Sequence, residues 1–180
     1  MPASTLDTFI AAIRDAWGPL TSDLVGTCRR ASERLARAPS SEPWLAALLT
    51  GQPAAEELHR DAERGFVLLA HTEQAGLYRP PHDHGRAWVV YAVQRGEVEM
   101  RTFARIAAPD GGVRLVQRDS VVARAGQALA YLPGDIHDTR CLSETALLFR
   151  FTERDLKHED RVESRVARYA APEDGWASGR

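Results

Sequence analysis

Pro80-Pro81-His82-Asp83-His84-Gly85 is the stretch on which the fold turns. Two histidines stand one residue apart, after a proline pair and before the apolar run Ala87 to Val93. Along an extended chain, residues i and i+2 point to the same side. His82 and His84 can therefore aim two imidazoles at one point, and imidazoles that converge usually serve a metal. The prolines restrict the backbone leading into His82.

Outward from this stretch, the chain changes character near Gly65. Before it the pattern is helical. Leu6, Phe9, Ile10, Ile13 and Trp17 recur at helical period, and Gly18-Pro19 ends that run. A second helix is expected over Ser22 to Ala38, and a third over Trp44 to Leu49 after Pro43. A fourth is expected to start at Gly51-Gln52-Pro53 and run to about His59. Arg29, Arg30, Arg34 and Arg37 read as a solvated face, because Glu33 interrupts them and no aromatic platform accompanies them. After Gly65, short runs such as Phe66–Ala70, Ala87–Val93, Val98–Ile106 and Thr145–Thr152 are separated by turn signals. Val113–Arg118 and Ser120–Arg124 read as two strands or one bent strand. About eight such strands predict a sandwich or barrel. Glu159 to Tyr169 reads as a further helix, and Ala171 to Arg180 as a frayed end.

The totals exclude several classes. A net charge of −2 gives no global attraction to nucleic acid or an anionic membrane. Two distant cysteines, Cys28 and Cys141, make no disulfide framework and fit a reducing compartment. No apolar run approaches the length of a membrane span. The opening MPASTLDTFI has no basic region followed by a long apolar core, so no signal peptide is expected. The expectation is a cytoplasmic protein, with no nucleic-acid or membrane partner.

Two glycine frames surround the histidines. Gly76 is followed by five residues and then His82 and His84; after four intervening residues stands Val89, and after six more Gly96. Gly126 is followed eight positions on by Gly134, with Pro133 before it, and three further on by His137. On these residues the chain resembles the cupin superfamily over about residues 65 to 152, roughly half its length. That resemblance implies a mostly β fold with an α-helical N-terminal segment, the barrel being a double-stranded β-helix or jelly roll. The implied organisation is a helical segment over residues 1–62 packed on the barrel, the barrel over 63–152, and a C-terminal extension over 153–180. It also implies a metal held by His82, His84 and His137. His59, His71 and His158 match no motif position.

Many cupins carry a glutamate ligand where this chain has Val89. Valine cannot ligate, so the expected site is three histidines without a carboxylate. A metal there keeps its two positive charges and favours a substrate that brings its own anion. In this the chain resembles the thiol dioxygenases, the cysteine dioxygenase-like group, which share the histidine arrangement and a helical segment before the barrel. Trp88 after the motif fits that group. Two positions depart from it. Val89 replaces the cysteine of a cysteine–tyrosine cross-link, and Phe149 and Phe151 stand where that group has the histidine and tyrosine of a Ser-His-Tyr relay.

The implied cofactor is Fe(II), with Zn, Mn or Ni as alternatives. The implied partners are O2 and a small anionic molecule, either a thiol such as cysteine or 3-mercaptopropionate or an enolate such as a β-diketone. A cupin isomerase, lyase or hydrolase, and a non-catalytic binding cupin, remain alternatives; the resemblance allows a homodimer, and the sequence leaves the oligomeric state open. Beyond the metal ligands no catalytic residue is assigned. Trp88, Val89, Tyr91, Phe149 and Phe151 are candidates to line the pocket, with Arg60 and Arg86 as candidates to meet an anion. Tyr91 either places its hydroxyl beside the metal or packs in the wall, and Trp88 either sits at the mouth or packs under the helices. Asp83 and Asp135 either orient an imidazole or form turns.

Overall fold

The computed structural model describes residues 3–109 and 111–170. Three helices come first: α1 (Thr5–Ala16), α2 (Ser22–Ala36) and α3 (Pro43–Gly51). Ser4 and Asp7 form a reciprocal capping box at the start of α1, and the Thr21 side chain accepts the Leu24 amide at the start of α2. Nine strands follow: β1 (Glu56–Arg60), β2 (Val67–Gln74), β3 (Tyr78–His82), β4 (Val89–Arg95), β5 (Glu97–Ala107), β6 (Val113–Arg124), β7 (Ala128–Tyr131), β8 (Ile136–Cys141) and β9 (Thr145–Thr152). A short α4 (Leu156–Arg161) comes next.

The strands form two antiparallel sheets, ordered β1-β2-β9-β4-β7 and β3-β8-β5-β6. Without β1, sequential strands alternate between the sheets except at the β5–β6 hairpin, the order that two interlocked Greek keys produce, so the fold is a jelly roll. β1 is an extra strand on the edge of the first sheet.

Two apolar layers hold the molecule together. The outer face of the first sheet presents Phe66, Leu68, Trp88, Val90, Phe149 and Phe151 to Phe9, Ile13, Cys28, Leu35, Leu45 and Leu48 of the helices. Its inner face presents Val89, Tyr91, Val93, Ala146 and Leu148 to Val98, Met100, Ala123 and Cys141 of the second sheet. β4 is buried on both faces, which explains why Ala87 to Val93 does not alternate. Accordingly, the three N-terminal helices pack on the outside of the barrel.

Three expectations need correction. The segment expected as a fourth helix is strand β1. Gln52 turns left-handed (φ 43°) at the end of α3, and Glu56 to Arg60 then pair with Ala70 to Val67 of β2, so sheet pairing overrides local helix propensity. The helical segment therefore ends at Gly51, and the barrel begins before residue 63. The helix expected over Glu159 to Tyr169 is instead α4, which is shorter and ends at Arg161. Beyond it the chain is tied to the loop after β3: the Ala167 amide donates to Asp83 Oδ1, and the Tyr169 amide to the Pro81 carbonyl. The expectation of fraying over 171–180 lies outside the described residues. Val113 to Arg124 is a single strand with a bulge. No helix among the described residues is long and apolar enough to cross a membrane.

Candidate metal centre

β3 and β8 pair antiparallel, and His82 lies directly opposite His137. Opposed residues share a face, so this register alone brings two imidazoles together; their ring centres are 4.8 Å apart. β3 ends at His82, and His84 reaches the same point from the following turn. Gly85 makes that turn at φ +64°, and a Cβ there would press against Glu159 and Arg165. His84 Nε2 lies 3.4 Å from His137 Nε2.

The donor atoms of His82, His84 and His137 all fall within 4.8 Å of one another, and the three could hold a metal ion. Two nitrogens bound tetrahedrally at about 2.0–2.1 Å from a metal stand about 3.3 Å apart, which the His84–His137 separation matches. The state of the rings also fits. Burial lowers the proton affinity of all three: His82 falls below its ordinary value, His84 to about 3, and His137 well below 6.5. Neutral imidazole is the form that ligates. The Pro80 carbonyl accepts from His82 Nδ1 at 2.8 Å, which leaves the Nε2 lone pair free. Tyr131 stacks on His137 with ring centres 4.0 Å apart.

On the opposite face of β8, Asp138 forms a buried ion pair with Arg101 of β5. It also accepts from the Tyr78 hydroxyl of β3 at 3.0 Å. This network ties together three strands, two of which carry His82 and His137. Burial and the Asp138 charge push the Tyr78 phenol up to about 12, so it stays a donor.

No family model and no curated protein sequence matches the chain. Solved structures similar to it include the Schizosaccharomyces pombe Cnp3 cupin domain, at 12% identity and a TM-score of 0.45, covering 59% of this chain and 64% of that one. Another is oxalate oxidase in complex with the substrate analogue glycolate, at 20% identity and a TM-score of 0.42, covering 65% of this chain and 55% of that one. KdgF from Halomonas sp. aligns at 15% identity and a TM-score of 0.40, covering 56% and 78%. The chain thus spans less than two thirds of the first two.

A cavity of about 550 Å³ opens over the histidines. His82 and His84 line it, while His137 is fully buried. Tyr91 lines it too, with its hydroxyl 3.3 Å from His84 Nε2. Burial raises the Tyr91 phenol above its ordinary pKa, while the Arg150 guanidinium acts to lower it. Val89 faces the inner apolar layer and brings no donor.

The remaining candidates lie elsewhere. Trp88, Phe149 and Phe151 belong to the layer beneath the helices, where Phe151 packs on Trp88 and on Phe9. On β9 the residues that face the cavity are Leu148 and Arg150. Arg60 is on the surface, paired with Glu57 and Asp155. The Arg86 side chain is exposed, and only its amide is engaged, by Glu159. Asp83 accepts the Gly85 and Ala167 amides, and Asp135 the Leu132 amide, so both form turns.

Sequence reasoning missed Arg150. It lies opposite Tyr91 in the β4–β9 pairing, lines the cavity and has its Nε buried without a hydrogen-bond partner. Arg79 and Arg168, which also line the cavity, are paired with Glu73 and Asp160. Among the described residues, no carboxylate lies within ion-pair distance of Arg150. The available signal was an arginine set between two phenylalanines in the last strand. His71, also missed, lines the cavity with its proton affinity lowered to about 3 by burial and then by the Arg150 charge.

Proposed function

We propose that the chain is a non-haem iron dioxygenase in which His82, His84 and His137 hold Fe(II), and that it adds O2 to a small anionic substrate. The observation that carries this reading is the convergence of three neutral histidines, without a carboxylate, beneath a cavity that contains Arg150. Bound iron would activate O2 and offer open positions for the substrate's donor atom, while the substrate itself would supply the electrons that reduce O2.

The chain's own residues do the rest. Arg150 draws the anion in and orients it by charge-assisted hydrogen bonds. Tyr91 keeps its proton and can donate it in a hydrogen bond to a substrate oxygen beside His84. Leu148 and the inner apolar layer keep bulk water from the inner wall. An isomerase or lyase would need a base poised near neutral pH. His71 titrates far too low, and Glu73 is held by Arg79, which favours the oxidative reading.

Within that reading, the resemblance to thiol dioxygenases supports a thiol substrate. Leu148 and Arg150 on the cavity face of β9 instead favour an enolate or β-diketone, since neither can act as the histidine–tyrosine relay. The test is metal analysis of the purified protein, followed by oxygen-electrode measurements on iron-loaded protein. Cysteine, cysteamine, 3-mercaptopropionate and acetylacetone form the substrate panel. Iron as the main metal and O2 uptake with one of them is expected. Iron-loaded protein that consumes no O2 with any of them overturns the proposal.

A further inference from the structure

β6 is the free edge of the second sheet, and nine of its 12 residues are exposed. Val116 and Val121 are 42% and 37% exposed. A long edge strand with exposed aliphatic residues is a template for pairing with another chain.

We propose that this edge pairs with the same edge of a second copy, antiparallel about a two-fold axis between Arg118 and Asp119. The bulge carries the argument. Asp119 lies opposite Thr102 and Gln117 opposite Phe103, so Arg118 is the extra residue. Val116 and Val121 lie opposite Ala104 and Met100, two residues on one face of β5. The bulge has thus put an even-numbered and an odd-numbered residue of β6 on the same face.

The backbone groups that point away from β5 reverse phase in the same way. The Ala108 amide donates to the Gly112 carbonyl at the hairpin end, and alternation from that pair leaves Val113, Leu115 and Gln117 facing outward. Beyond the bulge the Ser120 amide is turned to the Asp119 side chain and the Arg124 amide to Gln127, so even positions face outward there.

A two-fold partner laid so that Arg118 meets Asp119 uses both reversals. Gln117 then opposes Ser120 and Leu115 opposes Val122, all with outward backbone groups, the Ser120 amide exchanging Asp119 Oδ1 for the opposed Gln117 carbonyl and releasing that carboxylate to Arg118. Val116 opposes Val121, so that four valines meet on one face and two Arg–Asp pairs flank the axis. Such an interface is isologous, as a closed dimer requires. A bulge usually blunts an edge; here it stands where a symmetric pairing needs the change of phase.

The mass in solution, by analytical ultracentrifugation or light scattering, tests this directly. Wild type is expected at twice 19.9 kDa. R118D sets like charges against each other and should weaken the dimer roughly tenfold or more, as should D119R. The double variant R118D/D119R restores opposite charges and should restore the dimer. Circular dichroism of each variant separates loss of pairing from loss of fold. Under mild oxidation V116C/V121C should give a covalent dimer while either single cysteine does not; Cys28 and Cys141 are buried and do not compete. A wild-type monomer, a folded R118D that dimerises like wild type, or an uncoupled double variant overturns the proposal.

Discussion

At the scale of single residues, the proposed function gives His137 and Arg150 different parts of the chemistry. His137 is fully buried, and removing it takes away a ligand for which the described residues show no replacement. His137→Ala should therefore lose most bound metal, measured by elemental analysis at equal protein concentration; full metal content would show that the third ligand is misassigned. Arg150 touches no histidine in the hydrogen-bond network. Arg150→Met should keep its metal but raise KM for an anionic substrate roughly 10- to 100-fold, the worth of one or two hydrogen bonds to a charged group. Arg150→Lys should recover part of that loss, since a point charge replaces the planar fork only in part. Steady-state kinetics beside metal analysis separates the two roles.

At the scale of elements, the final strand carries the clearest prediction. Phe149 faces the helices, so Phe149→Ala should cost about 3–5 kcal/mol in denaturant unfolding and leave metal content unchanged. Loss of metal without loss of stability would place that side chain at the site instead. β9 also shows what the sequence could and could not reveal. Its existence and its span, Thr145 to Thr152, were legible from an apolar run between turn signals, as were the glycine frames around the histidines. Gly96 illustrates why a frame is legible: at φ +82°, a Cβ would strike Ser143 and the Thr145 carbonyl. Which face of β9 looked inward was not legible. Both faces carry large apolar side chains, and helices that cover one sheet make the outer face as apolar as the inner. Pattern alone thus puts the phenylalanines in the pocket and passes over the arginine between them. β1 is illegible for a different reason: its own residues carry no strand pattern, and it is a strand only because it pairs with β2, the next arm of the hairpin.

For the whole molecule, the buried histidines make stability depend on acid. His71 titrates at about 3 in the fold and at about 6.5 in the unfolded chain. Between those values the unfolded state holds a proton that the folded state does not. Stability therefore falls as pH drops, by about 1.4 kcal/mol per pH unit for each such group, and is unaffected above about 6.5. Urea unfolding of metal-free protein at pH 5 and pH 7 should show this slope. His71→Gln should remove one proton's share of it, and an unchanged slope in that variant would mean that His71 is not buried and neutral.

The tie between residues 167–169 and the loop after β3 also has a consequence in time. The turn that carries His82 and His84 is held by amides made more than eighty residues later, and His137 too is synthesised late. A chain still emerging from the ribosome can display the histidine pair but cannot lock it. Under the proposed function, the order of synthesis thus makes metal capture one of the last events in maturation, after most of the barrel has closed.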